Sequence, residues 1–191
     1  MSTNSAVREL ERTHQLQEGT WVIDPGHSSI EAVARHMMVS KVRGRFHEFS
    51  GAIHVDENPS KSWAEATIKA ASIDTNTPDR DNHLRSPDFL DVANHPEITF
   101  RSTSLTGKGD GRFVARGDLT IRGVTRPVAL DVTFHGVAVD PFGNTKGLFS
   151  ATGKLEREDW GITWNAALES GGVLVSKSLD FEIEAQVVRQ G

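Results

Sequence analysis

The sequence predicts an all-β, antiparallel fold, and three observations predict it. Short runs in which every second residue is apolar recur along most of the chain. The 17 glycines and 7 prolines fall mostly between those runs, where hairpin turns use them. Each run has one apolar and one polar face, the pattern of a sheet buried on one side, whereas parallel sheets are covered on both. About eight runs can be counted, which suits a closed barrel or a two-sheet sandwich. A barrel of ~8 strands either fills its interior with side chains or holds one small ligand.

Residues 1–19 are polar, with a thin helical stripe of Val7, Leu10 and His14. A frayed leader and a short N-terminal helix packed on the barrel both remain open. With no repeat, linker or composition break, the rest reads as one domain, residues 20–191. Trp21-Val22-Ile23 is a strand stopped by Asp24-Pro25-Gly26. Ser28 to Arg35 alternates, with Ile30, Ala32 and Ala34 on the apolar face. Met37-Met38-Val39 breaks the period of two and reads as a short helical turn. Phe46 to Asp56 is the next strand, with Phe46 out of phase, which predicts a bulge near His47. After Asn58-Pro59-Ser60, Ala64 to Ile73 alternates, with Ala66, Ile68 and Ala70 in phase.

Residues 76–91 have a different grammar. Thr77-Pro78-Asp79 reads as an N-cap, a proline at the first helical position and an acid in the first turn. Ser86-Pro87-Asp88 repeats it, so two short helical segments are expected, holding Leu84, Phe89 and Leu90 inward. Strands then resume around Ile98 and Phe100. They continue from Phe113 to Ile121, through Val128, Leu130, Val132 and Phe134, from Leu148 to Leu155, and from Leu179 to Val187. Turns fall at 107–111, at Pro141-Phe142-Gly143-Asn144 and at Ser170-Gly171-Gly172.

Composition excludes several functions. The 191 residues carry 21 Lys and Arg against 26 Asp and Glu, a net charge of −5, so nucleic acid is not an expected partner. The absence of cysteine removes disulfides, thiolate metal sites and cysteine nucleophiles. No apolar run approaches the ~18 residues of a membrane-spanning helix, and the first residues lack the apolar core of a signal peptide. The expectation is a cytoplasmic protein without stable membrane insertion. A free sheet edge leaves a homodimer open. The eight histidines include no HExxH, and there is no GxSxG, so neither a metal nor a catalytic set is predicted. An acid–base role for His36 or His83 stays open as an alternative.

The apolar phase nominates a ligand wall. Ala32, Ala34, Gly51, Ala66, Ala70 and Ala185 are small inward residues, and small residues leave volume for a guest or for interdigitating neighbours. An apolar tunnel would be lined by Ile30, Ala32, Ala34, Phe49, Ile68, Phe100, Leu130, Phe134 and Phe181. Met37 and Met38 would cap it, and Phe89, Trp160 and Trp164 would complete it. Arg35, His36, Arg43 and Arg85 are the cationic candidates for a ligand head group, and Arg80 shares that chemistry.

Trp21-Val22-Ile23-Asp24 with His27-Ser28, Arg35-His36 leading to Val42-Arg43-Gly44-Arg45-Phe46, and Ser72-Ile73-Asp74-Thr75 stand in a distinctive order. They continue through Arg80-Asp81-Asn82-His83-Leu84, His95-Pro96-Glu97-Ile98-Thr99-Phe100 and Gly117-Asp118-Leu119-Thr120-Ile121-Arg122-Gly123 to Arg157-Glu158-Asp159-Trp160-Gly161-Ile162. Together these resemble the YceI-like family of polyisoprenoid-binding proteins, over residues ~20–188. The resemblance implies an eight-stranded lipocalin-like barrel of bacterial origin. Its apolar tunnel would take a polyprenyl phosphate, an isoprenoid quinone or a similar amphiphile for transport or storage, with no cofactor beyond that lipid and no enzymatic activity. Broad sequestration of lipophiles under stress is the other binding role it leaves open. Two features depart from the family pattern: many relatives are exported, and Ala32-Val33-Ala34 is smaller than usual, as Trp160 is larger than the usual phenylalanine.

Overall fold

The computed structural model describes residues 16–191, so the Val7, Leu10, His14 stripe lies outside the described residues. Eleven strand segments form one sheet: β1 (Gly19–Ile23), β2 (Ser29–His36), β3 (Ser40–Phe46), β4 (Phe49–Val55), β5 (Trp63–Lys69), β6 (Ile73–Asp74), β7 (Glu97–Gly109), β8 (Arg112–Ile121), β9 (Val124–Val139), β10 (Thr145–Glu156) and β11 (Ser178–Arg189). The count of eight emerges from the pairing. β1 and β2 lie one after the other along β11, with Val22 opposite Val188 and Ala32 opposite Phe181. On their other side they meet β4 and β3. Each of these couples, and β5 with β6, is one barrel strand broken by a bend. Three bent strands and β7 to β11 then run in chain order, each antiparallel to the next, and β11 closes the ring on β1 and β2. This is a closed eight-stranded lipocalin-like barrel.

The bends have local causes. Pro25 has no N–H to give to a ladder, so the chain leaves β1 in a single 3-10 turn, Pro25–His27, capped by the Asp24 carboxylate on the Gly26 N–H at 3.1 Å. The β11 backbone opposite the gap is still satisfied. The Asp24 N–H donates to the Gln186 carbonyl at 2.8 Å, and the Ser28 hydroxyl accepts from the Gln186 N–H at 3.0 Å. The predicted irregularity near His47 is the break between β3 and β4.

The sequence reading assigns no strand to residues 40–45; residues 40–46 form β3, with the cations Lys41, Arg43 and Arg45 on its outward face and Val42, Gly44 and Phe46 pointing in. One expectation is corrected. Met37-Met38-Val39 is a tight hairpin turn between β2 and β3, with Met37 and Met38 at positive φ, 52° and 67°.

Only two residues of β6 pair with β3, and β7 starts at Glu97, so the sheet splits between them at one end. Residues 75–96 fill the split. One helix forms, α1 (Pro78–Arg85), where the proline and acids predict it. The Thr77 hydroxyl accepts from Arg80 instead of capping the helix. The second expected helical segment is a series of turns, held by the Phe89 N–H on the Ser86 carbonyl and the Leu90 N–H on the Leu84 carbonyl. Phe89 still faces the interior, buried with Ile30, Phe46, Ile73, Ile98 and Trp160. The β10–β11 connection, 157–177, crosses the same end. The opposite end is filled by side chains, among them Trp21, Val187 and Ala185.

Candidate functional site

Inside the barrel, toward the end covered by α1 and the 157–177 connection, lies a cavity of about 560 Å³. Its wall is mostly apolar. Ile30, Ala32 and Ala34 supply it from β2, Val42 and Gly44 from β3, Ala66 and Ile68 from β5, Phe100 from β7, and Leu119 and Ile121 from β8. Leu130 and Val128 of β9, Leu155 of β10 and Leu179, Phe181 and Ile183 of β11 close it, and Phe89, Leu84, Trp160, Ile162 and Trp164 form its ceiling. Period-two alternation is the cause: inward residues of neighbouring strands stand opposite one another, as Ala32 stands opposite both Gly44 and Phe181.

Some small inward residues create this volume and others do not. Ala32, Ala34 and Ala66 face the cavity. Gly51 does not, because a Cβ there would stand 2.6 Å from Ile23 Cδ1; Ala70 and Ala185 are likewise enclosed by neighbours. Two further glycines shape the wall. The Phe181 ring occupies the space over Gly153 that a Cβ would need, and the Phe100 ring lies over Gly117, where a Cβ would come 2.6 Å from it. Each ring is thereby drawn toward the sheet and out of the chamber.

Among the nominated wall residues, Ile30, Ala32, Ala34, Ile68, Phe89, Phe100, Leu130, Trp160, Trp164 and Phe181 lie on the cavity. Phe49 and Phe134 point inward but sit elsewhere. Phe49 is buried in the packed core, and Phe134 stacks on Phe149 with ring centroids 4.9 Å apart. Met37 and Met38 stand out in solvent, 52% and 57% exposed. Among the cations, Arg35 and His36 lie on the cavity lining. Arg43 points outward to Glu182 at 2.9 Å and Glu31 at 3.4 Å, and Glu182 above all raises the affinity of its guanidinium for its proton. Arg85 staples α1 to the barrel, donating to the Ala71 carbonyl at 2.8 Å and the Ile73 carbonyl at 2.9 Å.

Further polar residues on the lining include Thr75, Arg80, His83 and Arg157. Arg80 donates to the Thr75 hydroxyl at 2.7 Å and the Thr75 carbonyl at 2.9 Å, while the Thr75 hydroxyl donates to buried Asp81 at 2.6 Å. His83 Nε2 lies 2.9 Å from Asp88 Oδ2, and its ring meets Trp164 and Phe89 edge-on. Arg157, 2% exposed, was missed. Its guanidinium donates to the carbonyls of Ser176, Ile162 and Trp164 at 2.8–2.9 Å, and burial pushes its pKa below the ordinary value. Glu156, Glu158 and Asp159 beside it suggest a surface ion pair; a single cation next to an aromatic Trp160 was the available clue.

Arg35 and Asp79 are exposed residues on the lining, so the cavity opens between the end of β2 and the start of α1. Among the described residues no buried side-chain polar atom lacks a hydrogen-bond partner. Nothing inside the chamber therefore calls for a polar ligand group, and its interior suits hydrocarbon. Among the described residues no cluster of His, Asp and Glu is arranged to hold a metal ion, and no helix is long and apolar enough to cross a membrane.

A family model described as the YceI-like domain matches residues 21–187. A UPF0312 protein of Staphylococcus aureus is 41% identical over 169 residues, which cover 87% of this chain and 95% of that protein. The crystal structure of the Campylobacter jejuni YCEI protein superposes with a TM-score of 0.70 at 30% identity, covering 82% of this chain and 90% of that one. A polyisoprenoid binding domain from Saccharophagus degradans shares the fold at 13% identity, with a TM-score of 0.67 over 91% of this chain and 100% of that one.

Proposed function

The chain belongs to the YceI-like family, and from that premise we propose that it binds a long-chain isoprenoid lipid in the barrel cavity, for transport or storage. The observation that carries the reading is the apolar chamber of about 560 Å³, whose polar groups are already satisfied or gathered at its mouth. Its size lies within the ~300–1,000 Å³ typical of ligand sites. The lining is almost wholly apolar, so an apolar guest gains by filling the chamber, whereas water finds few partners inside it. The polyisoprenoid ligand of the Saccharophagus degradans domain supplies the chemical class.

In this reading the tail lies along β2, β5 and β11, and the head group stays at the mouth within reach of Arg35, His36 and Arg80. A polyprenyl phosphate would use their charge; an isoprenoid quinone would use their N–H groups. The role is binding rather than catalysis. The test is denaturing lipid mass spectrometry on protein purified from its own host, followed by titration of the delipidated protein with prenyl lipids. A stoichiometric prenyl lipid supports the reading. No co-purifying lipid and no binding of added prenyl lipid overturns it. Uptake of unrelated apolar compounds with similar affinity would point instead to broad sequestration.

A further inference from the structure

At the rim of the cavity the side chains do not suit their backbone. The β2–β3 hairpin turns through Met37 and Met38, both left-handed. Such turns favour Asn and Gly, because any Cβ is strained there. The strain is not offset by burial: Met37, Met38 and Val39 are 52%, 57% and 77% exposed. Met38 lies against Gly172, yet more than half of it remains in solvent. Three consecutive apolar side chains thus stand outward from a turn that polar residues would form more readily.

Two pairs behind the tip, Arg35 and Lys41 stand opposite each other across the hairpin. Like charges placed directly opposite repel. Among the described residues neither has a carboxylate in ion-pair range, whereas Arg43, two pairs further along, is neutralised by Glu182 and Glu31. An apolar apex backed by unneutralised cations fits a bilayer interface: the apex enters the acyl boundary and the cations sit at phosphate level. With a net charge of −5 over the whole chain, this attraction is local to the tip. The tip also adjoins the cavity. Arg35 and His36 are part of its lining, and the Met37 N–H donates to the Leu174 carbonyl, on the same wall, at 2.8 Å.

The filled end of the barrel provides a contrast. Phe142 is 89% exposed at the β9–β10 turn, but the charges beside it, Asp140 and Lys146, are engaged with one another and with Asp24. That turn has an apolar apex without free cations.

We infer that the Met37–Val39 tip docks on the surface of an anionic bilayer and holds the cavity mouth against it. An amphiphile then passes between membrane and barrel without crossing water. This passage rests on the lipid-binding reading above; the docking does not.

The test is flotation of the full chain with vesicles of phosphatidylcholine alone or with about 30 mol% phosphatidylglycerol. The protein is expected to float with the anionic vesicles and to detach as salt shortens the ~10 Å screening length found near 0.1 M. Met37→Asn with Met38→Asn should weaken binding about ten-fold, while the melting temperature stays the same or rises, since Asn suits the turn. Lys41→Gln should weaken it about five-fold. Phe142→Ser should bind like the unsubstituted protein. Docking is overturned by failure to float with anionic vesicles, by undiminished binding of the double Met variant, or by an equal loss in Phe142→Ser. Titrating the same proteins with a detergent-solubilised prenyl lipid separates the two readings. Prenyl-lipid binding without vesicle binding overturns docking alone, and the reverse overturns lipid binding alone.

Discussion

Arg157 is a cation on the wall of a hydrocarbon chamber, and its partners explain why it is tolerated. Three carbonyls, the buried one of Ile162 and the half-buried ones of Ser176 and Trp164, are satisfied by one planar fork that ties the 157–177 connection into a ceiling. Arg157→Met would orphan all three and should cost about 3 kcal/mol in urea unfolding; Arg157→Lys should recover little, because an ammonium cannot match the fork. Lys146 is the other deeply placed cation, with its side chain 9% exposed and bonded to Asp24 at 3.0 Å. That bond is the main reason the Asp24 carboxyl titrates below its ordinary range. A carboxyl lowered in the folded state stabilises the protein above its unfolded pKa, and the contribution disappears as pH falls through the folded value. Lys146→Met should therefore lose about 2 kcal/mol at pH 7, and its stability should change less than the native protein's between about pH 5 and 2, as urea titrations at both ends would register. Neither role was legible in the sequence. Arg157 stands among acids and Lys146 beside a turn, and both settings usually mean a solvated charge. The partners of Arg157 are backbone carbonyls, and the main partner of Lys146, Asp24, lies 122 positions away; no local pattern encodes either.

At the scale of elements, alternation was the legible quantity and depth was not. The phase of two assigned Ile30, Ala32, Ala34, Ile68, Phe100, Leu130 and Phe181 to the inside, and all of them reach the cavity. The same phase assigned Phe49 and Phe134 inside, where they pack against other side chains without reaching the cavity. Periodicity distinguishes the two faces of a strand but carries no coordinate along the barrel axis. The Met37-Met38 turn escaped for a related reason: its backbone shape is usually announced by Asn-Gly, and methionines announce it nowhere. The helix was legible because Pro78, Asp79 and Asp81 act locally. Where strands do set depth, they do so through paired small and large residues, as with Gly153 beneath Phe181. In Gly153→Ala the new methyl would displace the Phe181 ring, and the only free space is the cavity. The ring can move, so the stability cost should be modest, about 1 kcal/mol, while prenyl-lipid affinity should fall clearly in a titration. Unchanged affinity would place the tail away from β11.

For the whole molecule, the question is how a barrel with a large void in one half stays folded. Closure supplies part of the answer. Every strand segment but β6 has two neighbours, and β11, the last, pairs with β1 and β2, the first, so most sheet edges are covered and the first and last strands are tied together. The filled half, around Trp21 and Val187, supplies a packed core that needs no ligand. The half around the cavity differs, since its ceiling and wall face a space that offers few packing partners until an apolar body fills it. Under the lipid-binding reading, occupancy is therefore a stability term. A ligand present at 1,000 times its dissociation constant adds about 4 kcal/mol, and for a chain of this size each kcal/mol corresponds to roughly 2–4 °C. Protein stripped of lipid by organic extraction or by refolding from denaturant should melt about 10 °C below the loaded form, and adding prenyl lipid should restore the difference. The change should also be uneven. Amide exchange should accelerate most in α1 and in 157–177, which cover the void, and least in β1 and β4, which belong to the filled half. A uniform rise across the barrel, or none, would mean that the ligand is not what supports the cavity half.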